Sequence, residues 1–243
     1  MSGHSKWNNI KRKKEKTDAQ KAKIFTKIGK EMAVAVKAGG PDPRNNARLA
    51  ALIQKAKANN VPNENIERTI KKASASDGAN YEEIVYEGYG PGGVAIIVET
   101  TTDNRNRTAG NVRAGFNKYK GNLGSTGCVS YLFEDRGEIV ILKSDSIDED
   151  ALMETALEAG ASDFAAEDEV YEIFTEADDV YAVQEALVAA GYTVESAEAT
   201  KVPSNYVELT SEEDLKFMNL LLEYLEEDED VVEVYHNWEN CDE

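Results

Sequence analysis

The sequence predicts an α+β protein of three domains: an N-terminal three-helix domain and two ferredoxin-like α/β domains, one inserted in the other. Three observations carry this. Apolar residues recur at helical spacing as far as residue 75, and strand-like runs begin after residue 80. Residues 138–198 read β-α-β-β-α-β, an order that completes a sheet by itself. The elements before that unit lack an ending, and those after it lack a beginning. The predicted domains are therefore 1–80, then 81–134 joined to 203–243, with 135–202 inserted.

The first sixteen residues read as a basic arm. Lys6, Lys11, Arg12, Lys13, Lys14 and Lys16 crowd a stretch whose sizeable apolar side chains are Met1, Trp7 and Ile10. Such a segment buries too little surface to offset its ordering entropy, so the arm is expected to be mobile until a ligand orders it. A helix follows, opened by a capping box of Thr17 and Gln20 and stopped at Gly39-Gly40. Ile24, Phe25, Ile28, Met32, Ala35 and Val36 span roughly 120° of one face. Lys16, Lys23, Lys27, Lys30 and Lys37 fall within roughly 80° on the opposite face.

The second helix is predicted to start with Asp42 as N-cap and Pro43 at its first position. Leu49, Leu52, Ile53 and Ala56 face inward, and Arg44, Arg48 and Lys55 line the far side. Asn63 is expected to cap a third helix, with Ile66, Ile70 and Ala73 inside and Arg68, Lys71 and Lys72 outside. A polar linker containing Gly78 follows.

Strands are then expected at 82–88 and 93–101, joined by a turn at Gly90-Pro91-Gly92. Asp103 is expected to cap a helix reaching Tyr119. A strand at 129–133 and the link Glu134-Asp135-Arg136-Gly137 lead to a strand at 138–143. The inserted unit continues with helix 147–159, strands 162–166 and 169–174, helix 177–190 and strand 192–198. A helix at 211–226 and a strand at 231–238 close the chain.

Charge is the main functional signal. The net charge is −19. Residues 1–80 hold 18 Lys and Arg against 7 Asp and Glu, a balance of +11; the remainder holds 9 against 39, a balance of −30. Segregation on this scale points to a polyanion partner for the basic end, while the acidic remainder repels that partner. Lysines on helix surfaces usually do no more than solvate them, but acids are scarce on these faces, which favours nucleic acid.

Other classes find less support. Two cysteines, Cys128 and Cys241, make no disulfide scaffold and no CxxC site. His4 and His236 are the two histidines, so zinc sites and histidine triads have little to build on. No run nears the roughly 18 apolar residues of a membrane helix, and the polar, basic start is not a secretory signal, so a cytoplasmic protein without membrane partners is expected.

Gly88-Tyr89-Gly90-Pro91-Gly92-Gly93 matches GxGxxG, but a strand follows where a dinucleotide site needs a helix N-terminus. The glycines are read as a tight hairpin. Thr100 to Thr108 ends a strand and opens a helix with Arg105 and Arg107. It is either a phosphate contact or a capped turn whose arginines pair with carboxylates. The run from Glu226 to Asp230 is read as a solvated acidic turn; neighbouring residues do not converge on one metal ion. Cys128 is read as a small buried residue. No catalytic constellation stands out, so neither an enzyme nor a cofactor is expected.

Met1-Ser2-Gly3-His4-Ser5-Lys6-Trp7, Pro43-Arg44-Asn45, the Tyr86–Gly93 turn and the run from Thr101 through Asp103-Asn104-Arg105-Asn106-Arg107-Thr108 together resemble the YebC/PmpR family. The resemblance covers essentially the whole chain; the tail from Trp238 matches nothing specific. It implies a three-domain crescent and a cytoplasmic regulator of gene expression, described as a DNA-binding transcriptional regulator. Other members, a mitochondrial translational activator among them, act in translation and in relief of stalling at proline runs. Three readings follow: a DNA-binding regulator, a ribosome-associated factor contacting ribosomal RNA, and an acidic protein-interaction adaptor. The candidate nucleic-acid contacts are Lys6, Lys11, Arg12, Lys13, Lys14, Lys16, Lys23, Lys27, Lys30, Arg44, Arg48, Arg105 and Arg107. A monomer is favoured.

Overall fold

In the computed structural model, which describes residues 18–75 and 80–240, helix α1 runs Asp18–Gly39. The basic arm, the capping box at Thr17, Gly78 and Cys241 lie outside the described residues. Gly40 ends α1 at φ 85°, and its amide donates to the Val36 carbonyl at 2.8 Å. That left-handed conformation costs glycine little, which is why the chain turns here.

Helix α2 (Ala47–Ala58) starts four residues later than predicted. Asp42 does not cap it; its carboxylate accepts from the Arg44 amide and guanidinium instead. Asn46 takes the cap. Its Oδ1 accepts from the Leu49 amide at 3.0 Å while its Nδ2 donates to the Ala35 and Gly40 carbonyls, each at 2.8 Å. One buried amide thus serves the end of α1 and the start of α2, a double role that Asp42 could not fill from the turn. Helix α3 (Asn63–Ala73) begins at Asn63, with Pro62 in the cap position and no side-chain cap bond. Ile28, Met32, Val36, Leu49, Leu52, Ala56 and Ile66 form the core of this three-helix domain.

The first sheet contains β1 (Glu82–Tyr89), β2 (Ala95–Thr102), β3 (Asn122–Leu123) and β8 (Val231–His236). Its order is β3-β1-β2-β8. β1 and β2 form an antiparallel hairpin with Glu82 opposite Thr102. The GxGxxG segment is its tight turn, with a short 3₁₀ turn at Pro91–Gly93 and Gly92 at φ 66°. β8 pairs antiparallel with β2. Helix α4 (Arg105–Lys118) follows β2, and Asn104, not Asp103, caps it by accepting from the Arg107 amide.

The strands of the second sheet are β4 (Phe133–Leu142), β5 (Asp163–Ala166), β6 (Val170–Thr175) and β7 (Ser196–Pro203). Their order is β5-β6-β4-β7, every neighbouring pair antiparallel. Helices α5 (Glu149–Glu158) and α6 (Val180–Ala189) cover one face, where Leu152, Ala156, Val183 and Leu187 pack on Ile139, Ile141 and Ile173. The predicted strand 129–133 and the link at Glu134–Gly137 are corrected here. β4 runs unbroken through that link, and Ser130–Leu132 is a 3₁₀ turn. Glu134, Asp135 and Arg136 look like a loop because this end of β4 pairs with β7 alone and leaves its charges in solvent. For the same reason β7 lies later than the predicted 192–198: β4 offers it partners as far as Pro203. Helix α7 (Glu212–Glu227), capped by Ser211, returns the chain to the first sheet and buries Met218, Leu221, Leu222 and Leu225.

The described chain divides into two compact units. One comprises 18–130 with 209–236, so the three helices and the first sheet belong together; the other comprises 131–208 with 237–240.

Candidate nucleic-acid interface

The lysine stripe of α1 does not point into open solvent as the sequence suggests. It meets the turn at the end of α7. Lys23 pairs with the Glu227 carboxylate. Lys27 Nζ donates to the Glu226 carbonyl at 2.6 Å. Lys30 Nζ donates to the Glu229 carbonyl and to Asp230 Oδ1, both at 2.9 Å. These bonds use the charge that was expected to meet phosphate.

Asp230 is the centre of the arrangement, and it corrects the reading of 226–230 as a wholly solvated turn. It is 2% exposed. Besides Lys30 it accepts from Arg107 Nη2 at 2.7 Å, from Arg107 Nε at 3.0 Å and from Thr108 Oγ1 at 2.9 Å. Burial pushes the Asp230 carboxyl up, but the hydrogen bonds from Lys30, Arg107 and Thr108 outweigh that and hold it below the ordinary carboxylate range. The surrounding cleft of about 600 Å³ is lined by Lys30, Tyr81, Asp103, Arg107, Asn111, Asp228, Glu229 and Asp230. Among the described residues no three His, Cys, Asp or Glu side chains are grouped to hold a metal ion.

The turn from Thr100 to Thr108 leaves its two arginines in different states. Arg107 bonds Asp103 at 2.9 Å and Asp230, so for this residue the capped, paired turn describes the structure. Thr102 Oγ1 accepts from the Asn104 amide and from Thr108 Oγ1, which fixes the turn from inside. Arg105 is exposed and makes no hydrogen bond or ion pair among the described residues.

Arg44 remains at the surface with Asp42 as a local partner at 2.7 Å, and Arg48 pairs with Glu83. Lys55, also read as outward, lies 3.4 Å from Glu31, whose carboxyl burial pushes up despite the lysine. Lys57, Lys71 and Lys72 are exposed without a carboxylate partner among the described residues. Lys6, Lys11, Arg12, Lys13, Lys14 and Lys16 lie outside the described residues.

Residues that sequence reasoning missed are Asp230, Glu87, Arg113 and Lys118. Glu87, 3% exposed, accepts from the backbone amides of Gly127, Val129 and Ser130 at 2.7, 2.9 and 2.8 Å. Cys128, within that loop, is part-buried rather than buried. No sequence signal marks Asp230 within its acidic run. Arg113 and Lys118 do carry one, because no acidic residue occurs between Asp103 and Glu134.

No helix among the described residues is long and apolar enough to cross a membrane. Residues 5–76 match the model of the TACO1/YebC protein N-terminal domain, and residues 81–238 match the model of the TACO1/YebC second and third domain. A protein of Acetivibrio thermocellus named "Probable transcriptional regulatory protein" is 59% identical over 239 residues, covering 98% of this chain and 99% of its own. One from Agathobacter rectalis with the same name is 59% identical over 242 residues, covering 98% of this chain and 100% of its own. The crystal structure of a conserved hypothetical protein from Aquifex aeolicus superposes with a TM-score of 0.81 at 46% identity over 92% of both chains. With both domain models matched in order along its length, the chain belongs to the TACO1/YebC family.

Proposed function

We propose that the protein is a nucleic-acid-binding regulator of gene expression, acting as a DNA-binding transcriptional regulator. The observation that carries this is the segregation of charge: +11 on residues 1–80 against −30 on the rest. A polyanion is drawn to one end of such a chain and repelled from the other. The exposed Lys57, Lys71 and Lys72 support the reading within the described residues, with Glu64 and Glu67 interspersed on α3. The names of the relatives agree with it. Binding and not catalysis is the proposed activity, with no cofactor, in the cytoplasm.

Two measurements on the full chain test the proposal. Sedimentation through a gradient with ribosomes asks about ribosomal RNA without any guess at a target sequence. Capture of genomic DNA fragments at moderate salt asks about promoters. Enrichment of discrete promoter fragments supports the transcriptional reading. Stable co-sedimentation with ribosomes and no fragment enrichment replaces it with a translation factor. Neither result leaves the protein-interaction adaptor.

A further inference from the structure

The stretch from Asn104 to Phe133 contains Arg105, Arg107, Arg113, Lys118 and Lys120 and no Asp or Glu. It holds five of the nine basic residues in 81–243, a region with 39 acidic ones. Helix α4 sorts them. Thr108, Val112, Gly115 and Phe116 are buried, so the opposite arc presents Asn106, Gly110, Arg113, Ala114 and Asn117, all exposed. Arg107 is bound to Asp103 and Asp230, and Lys120 to Glu213. Arg105 and Arg113 make no hydrogen bond or ion pair among the described residues, and Lys118 meets only the rings of Tyr119 and Tyr224, at 5.0 and 5.7 Å.

We propose that this outer face of α4 docks in the major groove of double-stranded DNA; the proposal rests on the nucleic-acid reading above. A helix with its side chains is about 10–12 Å across and the B-form major groove about 12 Å wide. The centre of the face is low: a side chain at Gly110 would meet no atom within 4 Å, and Ala114 adds one methyl. The helix can therefore approach base edges closely. Arg113, Asn106 and Asn117 are of the types that bond guanine and adenine edges with two hydrogen bonds. Arg105 and Lys118, at the two ends of the helix, supply phosphate contacts that set its position. The arc carries no aromatic ring on which single-stranded bases would stack, and the A-form major groove of RNA is too narrow to admit a helix.

The test uses the full chain with a labelled mixed-sequence DNA duplex, an RNA duplex and a single-stranded DNA. The first variant combines Arg105→Gln, Arg113→Gln and Lys118→Gln; the second is Gly110→Leu, which blocks the approach and favours the helix itself. DNA duplex should bind more tightly than the other two probes. The triple variant should weaken duplex binding on the order of 10- to 100-fold near 0.1 M salt and flatten the log–log salt slope by about 2 to 3. Gly110→Leu should weaken binding with the slope preserved. If the wild-type chain binds duplex and both variants match it in affinity and slope, the α4 contact is overturned and the nucleic-acid reading stands. Preference for either other probe overturns the duplex assignment. No binding to any probe overturns both.

Discussion

The Lys30 ammonium lies 2.9 Å from Asp230 Oδ1 and ties α1 to the turn before β8. Both side chains are nearly covered, 12% and 3% exposed. Asp230→Ala leaves Lys30 with a backbone carbonyl and Arg107 with Asp103, and it strands a buried cation. Removing one member of a buried pair costs about 3 kcal/mol. Urea unfolding of the variant should show a loss of that order with an unchanged m-value. A loss under about 0.5 kcal/mol, the level of a surface substitution, would show the pair to be idle.

The same carboxylate gives stability a pH dependence. Its folded pKa lies below the ordinary value, because the bonds from Lys30, Arg107 and Thr108 outweigh burial. The unfolded chain therefore takes up this proton more readily than the folded one, and acid favours unfolding. The contribution is complete above the unfolded pKa, about 3.9, and is lost as pH falls through the folded value. The stability gap between wild type and Asp230→Asn should be constant from near neutrality down to roughly pH 5 and close below about pH 4. A gap that widens in acid contradicts the assignment.

Glu87 makes a separate prediction. Burial raises its carboxyl, and the three amides of Gly127, Val129 and Ser130 hold it below the ordinary range. Glu87→Gln turns one acceptor oxygen into a donor facing donors, so the loop before β4 should loosen while the sheet persists. Hydrogen exchange at the Gly127, Val129 and Ser130 amides should accelerate by at least about tenfold, the equivalent of about 1.4 kcal/mol for a charge-assisted bond. Unchanged protection of all three would mean that other groups hold the loop.

In the second unit the sensitive position is Gly137, where β4 passes under α6. A Cβ there would stand 2.1 Å from Thr175 Oγ1, 2.6 Å from Val180 Cβ and 2.9 Å from the Glu176 carbonyl. The last is backbone and cannot swing away. Gly137→Ala should destabilise the unit by about 1–3 kcal/mol, read by thermal unfolding. Gly110→Ala, in open space on α4, is the matched control and should raise stability slightly.

Periodicity made the helices legible because each buries one stripe: Ile28, Met32 and Val36 on α1, Met218, Leu222 and Leu225 on α7. It failed where the interaction is long-range. Asn46 and Asp42 are equivalent cap types locally, and only the carbonyls of Ala35 and Gly40 favour the former. Glu134 to Gly137 looks like a link, since nothing local reveals that β7 pairs there. The lysine stripe of α1 was visible in the sequence; its partners, some 200 residues away, were not. Charge counting by segment therefore predicted a free cationic face where the fold had matched it with acids.

Lys23 and Lys27 offer the sharpest contrast with α4. Both ammonium groups are engaged, by the Glu227 carboxylate and by the Glu226 carbonyl at 2.6 Å. A nucleic-acid phosphate would have to displace these acceptors and then sit beside Glu226, Glu227 and Asp228, whose charges repel it. Lys23→Ala combined with Lys27→Ala should therefore leave the salt slope for duplex DNA unchanged and lower the melting temperature, because these two lysines fasten α1 to the end of α7. The triple substitution on α4 should do the reverse, since its charges face solvent and hold nothing in place. Measuring both variants against the same duplex separates the two surfaces. A slope flattened by about 2 in the double lysine variant, with its melting temperature intact, would show that the stripe leaves the acidic turn to bind DNA.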